Sequence, residues 1–265
     1  MQTTPSKKIK DSKTTTPILS LDNVSISFGD FNAIQHVSTT VKDHEIRFFI
    51  GPNGAGKTTI LDAICGKIKI SSGAINYFDN NQTYNIERMK DYDIFRHGIS
   101  RKFQAPSIFN GLTVYENIGI TASQHRSVFN SLHAKFSGEQ KDAIEDILTF
   151  IGLADLKDQF PMVLSHGQKQ WLEIGILMAS NPRLILLDEP VAGMGRKETQ
   201  KTEELLLKLR QRCTIICVEH DMQFCQDISD SVTVFHEGQV LDEGSFDKVQ
   251  QNPKVIDVYL GRSED

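Results

Sequence analysis

Gly51-Pro52-Asn53-Gly54-Ala55-Gly56-Lys57-Thr58 is the stretch from which the rest of this chain is read. It fits G-x-x-x-x-G-K-[ST]. The strand-like stretch Glu45 to Ile50 leads into it, and helix-spaced Ile60, Leu61 and Ile64 follow. Strand, glycine-rich turn and helix in that order is the setting in which the pattern holds phosphate. Glycines let backbone N–H groups approach phosphate oxygens, and the helix adds the positive end of its dipole. Lys57 brings a cation to the β- and γ-phosphates, Thr58 offers a hydroxyl to Mg²⁺, and Thr59 completes the expected lining.

Downstream, Leu184-Ile185-Leu186-Leu187 is a continuous apolar run, as in a parallel strand buried on both faces, and it ends in Asp188-Glu189. Two acids at a strand end carry little meaning alone. Beside a phosphate loop, Asp188 is expected to hold Mg²⁺ through water and Glu189 to orient and polarise the attacking water. Val24, Ile26 and Phe28 alternate with polar residues before a Gly29-Asp30 turn, and Ala74 to Phe78 reads as another strand. Thr214 to Val218 reads as a second buried strand, and Val232 to Leu241 as a hairpin around His236-Glu237-Gly238. Between these segments, Ile86 to Phe160 reads as helices, with Ala143, Ile147, Phe150 and Ile151 on one face. Trp171, Ile174 and Met178 mark another helix, and Lys197 to Arg212 a third. The pattern is that of an α/β core carrying a helical subdomain.

Composition narrows the classes. Apolar residues at 39% and charged residues at 24% are ordinary for a globular protein. A net charge of −5 weighs against a domain that grips nucleic acid over a basic face. No apolar run nears the roughly 18–20 residues that span a bilayer. The first 16 residues are polar and basic, so a disordered leader rather than a secretory signal is expected there. Cys65, Cys213, Cys217 and Cys225 form no C-x-x-C pair, and read as structural thiols in a reducing compartment.

Leu164-Ser165-His166-Gly167-Gln168 resembles L-S-G-G-Q, the signature of ABC ATPases, and stands just upstream of the Asp188-Glu189 strand as in that family. The resemblance runs from about Leu19 to Gly261. It implies a P-loop NTPase core with an N-terminal antiparallel β-subdomain and an inserted helical subdomain at about 86–180, in a single domain over 17–262. It also implies roles. Phe28 matches the aromatic that stacks on adenine. Gln104, in Arg101-Lys102-Phe103-Gln104, matches the glutamine that reaches Mg²⁺ and the attacking water. His220, in Val218-Glu219-His220-Asp221, matches the switch histidine at the γ-phosphate. Taken singly, Phe28 reads as core, Gln104 as a loop amide and His220 as a bystander; the ordered set reverses those readings. Ser165, His166, Gly167 and Gln168 would face the γ-phosphate bound by a second subunit. Ser165 and Gln168 also form a plain capping box, and both readings hold together. Two departures stand out. His166 replaces the usual first glycine, and Gly195 takes the place of a small polar residue in the loop that communicates across the dimer.

The longer strings Leu164 to Gly175 and Asp188 to Met194 resemble the urea-transporter branch, which is related to branched-chain amino acid importers. The expected function is therefore an ATP-binding and hydrolysing subunit, with Mg²⁺, that powers import of a small solute, urea, through partner permease subunits. Expected partners are those permeases, a second ABC ATPase (a heterodimer, with a homodimer as the alternative) and indirectly a periplasmic solute-binding protein, with no nucleic acid. The place of action is the cytoplasmic face of the plasma membrane. Alternatives are the ATPase of a branched-chain amino acid or amide importer, or a soluble ABC-type assembly ATPase. Chromosome-structure relatives place a long coiled coil between the two halves, and no sustained heptads occur here. Ribosome-associated relatives carry two cassettes, where this chain has one.

Overall fold

The computed structural model describes residues 16–102, 108–122 and 136–260. The expected leader, apart from Thr16, and Gln104 lie outside the described residues.

The three short apolar runs become the centre of the molecule because each residue alternates between two buried faces. In β3 (Ile46–Ile50), Ile46, Phe48 and Ile50 join one apolar cluster and Phe49 joins a second on the opposite face. In β7 (Leu184–Asp188), Ile185 and Leu187 go one way and Leu184 and Leu186 the other. β8 (Thr214–Val218) repeats the pattern with Ile215 and Cys217 against Ile216 and Val218. With β6 (Ile99–Arg101), β9 (Ser231–His236) and β10 (Gln239–Gly244) they form a six-stranded sheet in the order β10-β9-β3-β8-β7-β6. All neighbours are parallel except the β9–β10 hairpin.

A second sheet, β2-β1-β4-β5, is antiparallel throughout. It comprises β1 (Pro17–Phe28), β2 (Phe31–Lys42), β4 (Ser72–Asp79) and β5 (Gln82–Asn85). Its inward residues Leu19, Leu21, Val24, Ile26 and Ile34 pack in the same cluster as Phe49 and α1 (Lys57–Ile64). On the other face lie α3 (Val114–Ala122), α4 (Gly138–Ile151) and α5 (His166–Met178), whose apolar side chains share the cluster of Phe48. Trp171 on α5 ties this helical layer to α6 (Arg196–Leu209). Its indole N–H donates to Thr202 Oγ1 at 2.9 Å, and Lys201 Nζ sits 3.9 Å from the ring centroid.

Two expectations need correction. The stretch from Ile86, read as helical, contains α2 (Asp91–Arg96) but also β6, the edge strand of the core sheet. Three residues are too few for a period-two pattern to show. In α4 Ile147 and Ile151 are buried as expected and Phe150 packs against the same cluster, but Ile144 and Leu148 complete the buried face and Ala143 is exposed. Neighbouring rows satisfy helical spacing; the one with larger side chains removes more apolar area from water and turns inward. All four cysteines are buried free thiols, and burial pushes Cys65 and Cys213 up to about 12, so they stay protonated and unreactive.

Candidate functional site

The glycine-rich loop leaves the C-terminal end of β3 and runs into α1. Two of its glycines are obligatory for different reasons. Gly51 has φ +146°, and a Cβ there would lie 2.1 Å from the Phe235 carbonyl oxygen. Gly56, the N-cap of α1, has φ +100°, and a Cβ would meet the Ile34 side chain at 2.4 Å. Lys57 is buried, and its ammonium donates to the Gly51 and Pro52 carbonyl oxygens at 2.7 and 2.9 Å. Burial lowers its pKa, against the pull of the Asp188 and Glu189 carboxylates.

Asp188 closes β7 beside Thr58, with Thr58 Oγ1 3.4 Å from Asp188 Oδ2. Burial raises the pKa of Asp188, with Arg101 opposing. A hydroxyl and a carboxylate at the phosphate loop are hard oxygen donors, the set that suits Mg²⁺. Glu189 follows with φ +49°, a left-handed conformation uncommon for a side chain of this size. Its N–H is fixed by the Val218 carbonyl at 2.9 Å, and its side chain is about half exposed. His220 Nε2 stands 3.4 Å from Glu189 Oε1.

A cavity of about 290 Å³ collects these parts: Phe28, Phe31, Asn53 to Thr59, Glu189 and His220 line it. Phe28 is 52% exposed, so its ring is a wall of this cavity and not core. A larger cavity, about 720 Å³, lies at the N-terminal end of β3, away from this chemistry. Its Arg47 is bound by Glu45 at 2.8 Å and Glu243 at 2.9 Å, a self-satisfied network that holds strands together.

The signature segment is on α5. Ser165 is the N-cap: its hydroxyl accepts the Gln168 N–H at 3.2 Å, and the Gln168 side chain accepts the Ser165 N–H at 2.8 Å. His166 is exposed, and its Nε2 lies 2.9 Å from the Ala192 carbonyl oxygen, which fixes Nε2 as the protonated nitrogen. The bulky departure from the usual glycine thus touches the loop that follows Glu189. Ser165, His166 and Gln168 do not line the phosphate-loop cavity of their own chain.

Five contributors were missed in the sequence. Glu219 is 3% exposed, and its carboxylate accepts the N–H groups of Val191 (3.1 Å), His220 (2.9 Å) and Asp221 (3.3 Å). It thereby pins the loop after Glu189 to the loop of His220. Arg101 pairs with Asp62 on α1 and reaches Asp188 Oδ2 at 3.4 Å. Lys102, next along the chain, turns the other way to Glu173 on α5 at 3.1 Å. Glu198 on α6 meets Ser165. Phe31, facing Phe28 across the β1–β2 turn, could have been found from its place in that hairpin.

A parallel sheet with a glycine-rich phosphate loop at one strand end and an Asp-Glu pair at another defines a nucleotide-hydrolysing protein of the phosphate-loop class. The chain belongs to the ABC transporter family, whose profile matches residues 34–192, and it is an ATP-hydrolysing cassette of that family. It is 33% identical to the "High-affinity branched-chain amino acid transport ATP-binding protein LivG" of Salmonella typhimurium, over 93% of this chain and 99% of the relative. The corresponding protein BraF of Pseudomonas aeruginosa is 32% identical over 93% and 99%. Among solved structures, MJ1267, an ATP-binding cassette of an ABC transporter, superposes with a TM-score of 0.81 at 31% identity, covering 93% of this chain and all of that one. Its ADP conformation gives 0.80 at 30%, with the same coverage.

Proposed function

We propose that the chain is the motor subunit of an importer for branched-chain amino acids or chemically related small solutes, acting through membrane permease subunits. The observation that carries the motor role is the shared cavity, which assembles Phe28, the phosphate loop, Glu189 and His220 from four separate segments. The cargo class rests on the names of the relatives. They favour the amino acid reading over urea, which the string Leu164 to Gly175 supports as a second reading. No helix among the described residues is long and apolar enough to cross a membrane, so the path for cargo would be supplied by other chains.

ATP would enter with its base against Phe28 and its phosphates along Asn53 to Thr59, where Lys57 supplies positive charge. Mg²⁺, when bound, would screen phosphate charge; Thr58 and Asp188 would hold it, with Gln104 as a further ligand. Glu189 takes the proton of the attacking water, and His220 orients that carboxylate while reaching the γ-phosphate. Ser165 to Gln168 do not meet this cavity within one chain, so a second cassette would bring its own copy of them to the γ-phosphate. Two subunits would sandwich two nucleotides, closing on ATP and reopening on hydrolysis. Phe109, 56% exposed beside the helical layer, and Tyr92 and Phe95 on α2 offer apolar surface for a permease. The working position is the cytoplasmic face of the membrane.

The test is uptake of labelled leucine and labelled urea by cells lacking this chain, complemented with the parent or with Lys57→Ala. Leucine uptake restored by the parent alone supports the proposal. Urea uptake restored instead moves the cargo to the second reading, and restoration of either by Lys57→Ala rejects the motor role.

A further inference from the structure

Glu198 stands where its carboxylate can rival a nucleotide for the signature serine. Ser165 Oγ has a single proton to give. Its lone pair already accepts the Gln168 N–H, and its proton goes to Glu198 Oε1 at 2.9 Å. The other oxygen, Oε2, accepts the Gly195 N–H at 3.3 Å at the start of α6. Gly167 lies under the same carboxylate, and a Cβ there would come within 2.6 Å of Glu198 Cδ and Oε1. A side chain at 167 would therefore expel Glu198, which gives this glycine a reason in space rather than in backbone angle. The Ser165 hydrogen bond also lowers the Glu198 pKa, so the group is ionised at neutral pH. His166 fastens the same two segments a few residues away through the Ala192 carbonyl.

We infer that Glu198 is a resident anion of the signature segment, and that the terminal phosphate of a nucleotide on the partner cassette must take the Ser165 proton from it. This inference rests on the proposed reading of Ser165 to Gln168 as a contact to the neighbouring subunit's nucleotide. Glu198 touches neither nucleotide nor metal; it is a positioning residue that sets the concentration of ATP at which closure occurs. Its charge opposes the incoming phosphate. Its hydrogen bond also keeps Ser165 and the start of α6 in register until the phosphate arrives. A diphosphate, lacking the terminal group, has nothing to offer Ser165 in exchange, so the arrangement separates ATP from ADP at the closing step.

The test is the ATP dependence of turnover in the assembly purified with the full chain, comparing Glu198→Gln, Ser165→Ala and the double variant. The glutamine removes the charge and keeps one acceptor oxygen, for Ser165 or for Gly195, while its amide nitrogen can only donate at the other position. The expected result is a KM for ATP lowered about two- to fivefold, the scale of one charge at a helix terminus, with kcat not reduced. In the Ser165→Ala background that gain disappears. Glu198→Asp, which withdraws the carboxylate by one methylene, gives a smaller change of the same sign and serves if the glutamine variant folds poorly. An unchanged or raised KM in Glu198→Gln, with Ser165→Ala impaired, overturns the rival-anion role and leaves the signature reading standing. Full turnover in Ser165→Ala overturns both.

Discussion

Truncating Glu219 to alanine is expected to loosen both loops beside the nucleotide site at once. The carboxylate accepts three backbone N–H groups, those of Val191, His220 and Asp221. Val191 is buried, whereas His220 and Asp221 are exposed, so water can replace the last two bonds but not the first. A buried orphaned N–H costs about 1–3 kcal/mol, and a lost hydrogen bond to a charged group about 1.5–3 kcal/mol. Burial holds the Glu219 carboxyl above the usual carboxylate range, and removing that strained charge offsets part of the loss. The net is about 2–4 kcal/mol, or roughly 5–15 °C in Tm for a domain of this size. The sign with pH follows from the raised value. Stability owed to this group is greatest below its ordinary value of 4.5 and is lost as pH rises through the folded value. The Tm gap between parent and Glu219→Ala should therefore narrow as pH rises above that point and then stay level. Thermal unfolding by circular dichroism across pH, with ATP turnover measured well below both transitions, reads both effects. Turnover should fall, because Glu189 and His220 lose their common anchor. A Tm within about 2 °C of the parent at every pH, with unaltered turnover, would refute the reasoning.

Lys57→Ala removes the cation from the phosphate loop and should weaken ATP binding about ten- to hundredfold, the scale of one charge-assisted hydrogen bond, as read by titration calorimetry. Undiminished binding and hydrolysis would exclude that role. Glu189→Gln should bind ATP but turn over about 10²–10⁴-fold more slowly, and gel filtration with ATP should show it held as a closed pair of cassettes. Normal turnover in this variant removes Glu189 as the base. Gly51→Ala forces a Cβ to 2.1 Å from the Phe235 carbonyl and should cost more than about 2 kcal/mol in chemical denaturation. A neutral result would mean that the loop has another conformation.

What could be read from the chain was the chemistry that is contiguous along it. The loop from Gly51 to Thr59, the Asp188-Glu189 strand end and the capping box at Ser165 each declare themselves within a few residues. The structure sets the first two side by side. The buried strands at Leu184 and Thr214 were legible for the same reason, since a short and nearly continuous apolar run fits a strand covered on both faces. In the stripe of α4 only Ala143 was misplaced, because neighbouring rows satisfy the same spacing and packing chooses between them. β6 was lost because three residues carry no period. Glu219, Arg101 and Glu198 escaped for a different reason. Each looks like an ordinary charged residue near a motif, and its importance lies in a partner far away in sequence: Val191, Asp188 and Ser165. Cargo is written in none of these residues, since nothing in the cavity of the phosphate loop would touch it.

The transport role depends most directly on which proteins the chain works upon. Tagged full-length chain, extracted from its native membranes in mild detergent with and without ATP, should bring down two membrane permease subunits and a second cassette. Recovery of soluble assembly proteins alone would leave the ATPase chemistry in place and contradict the transport role.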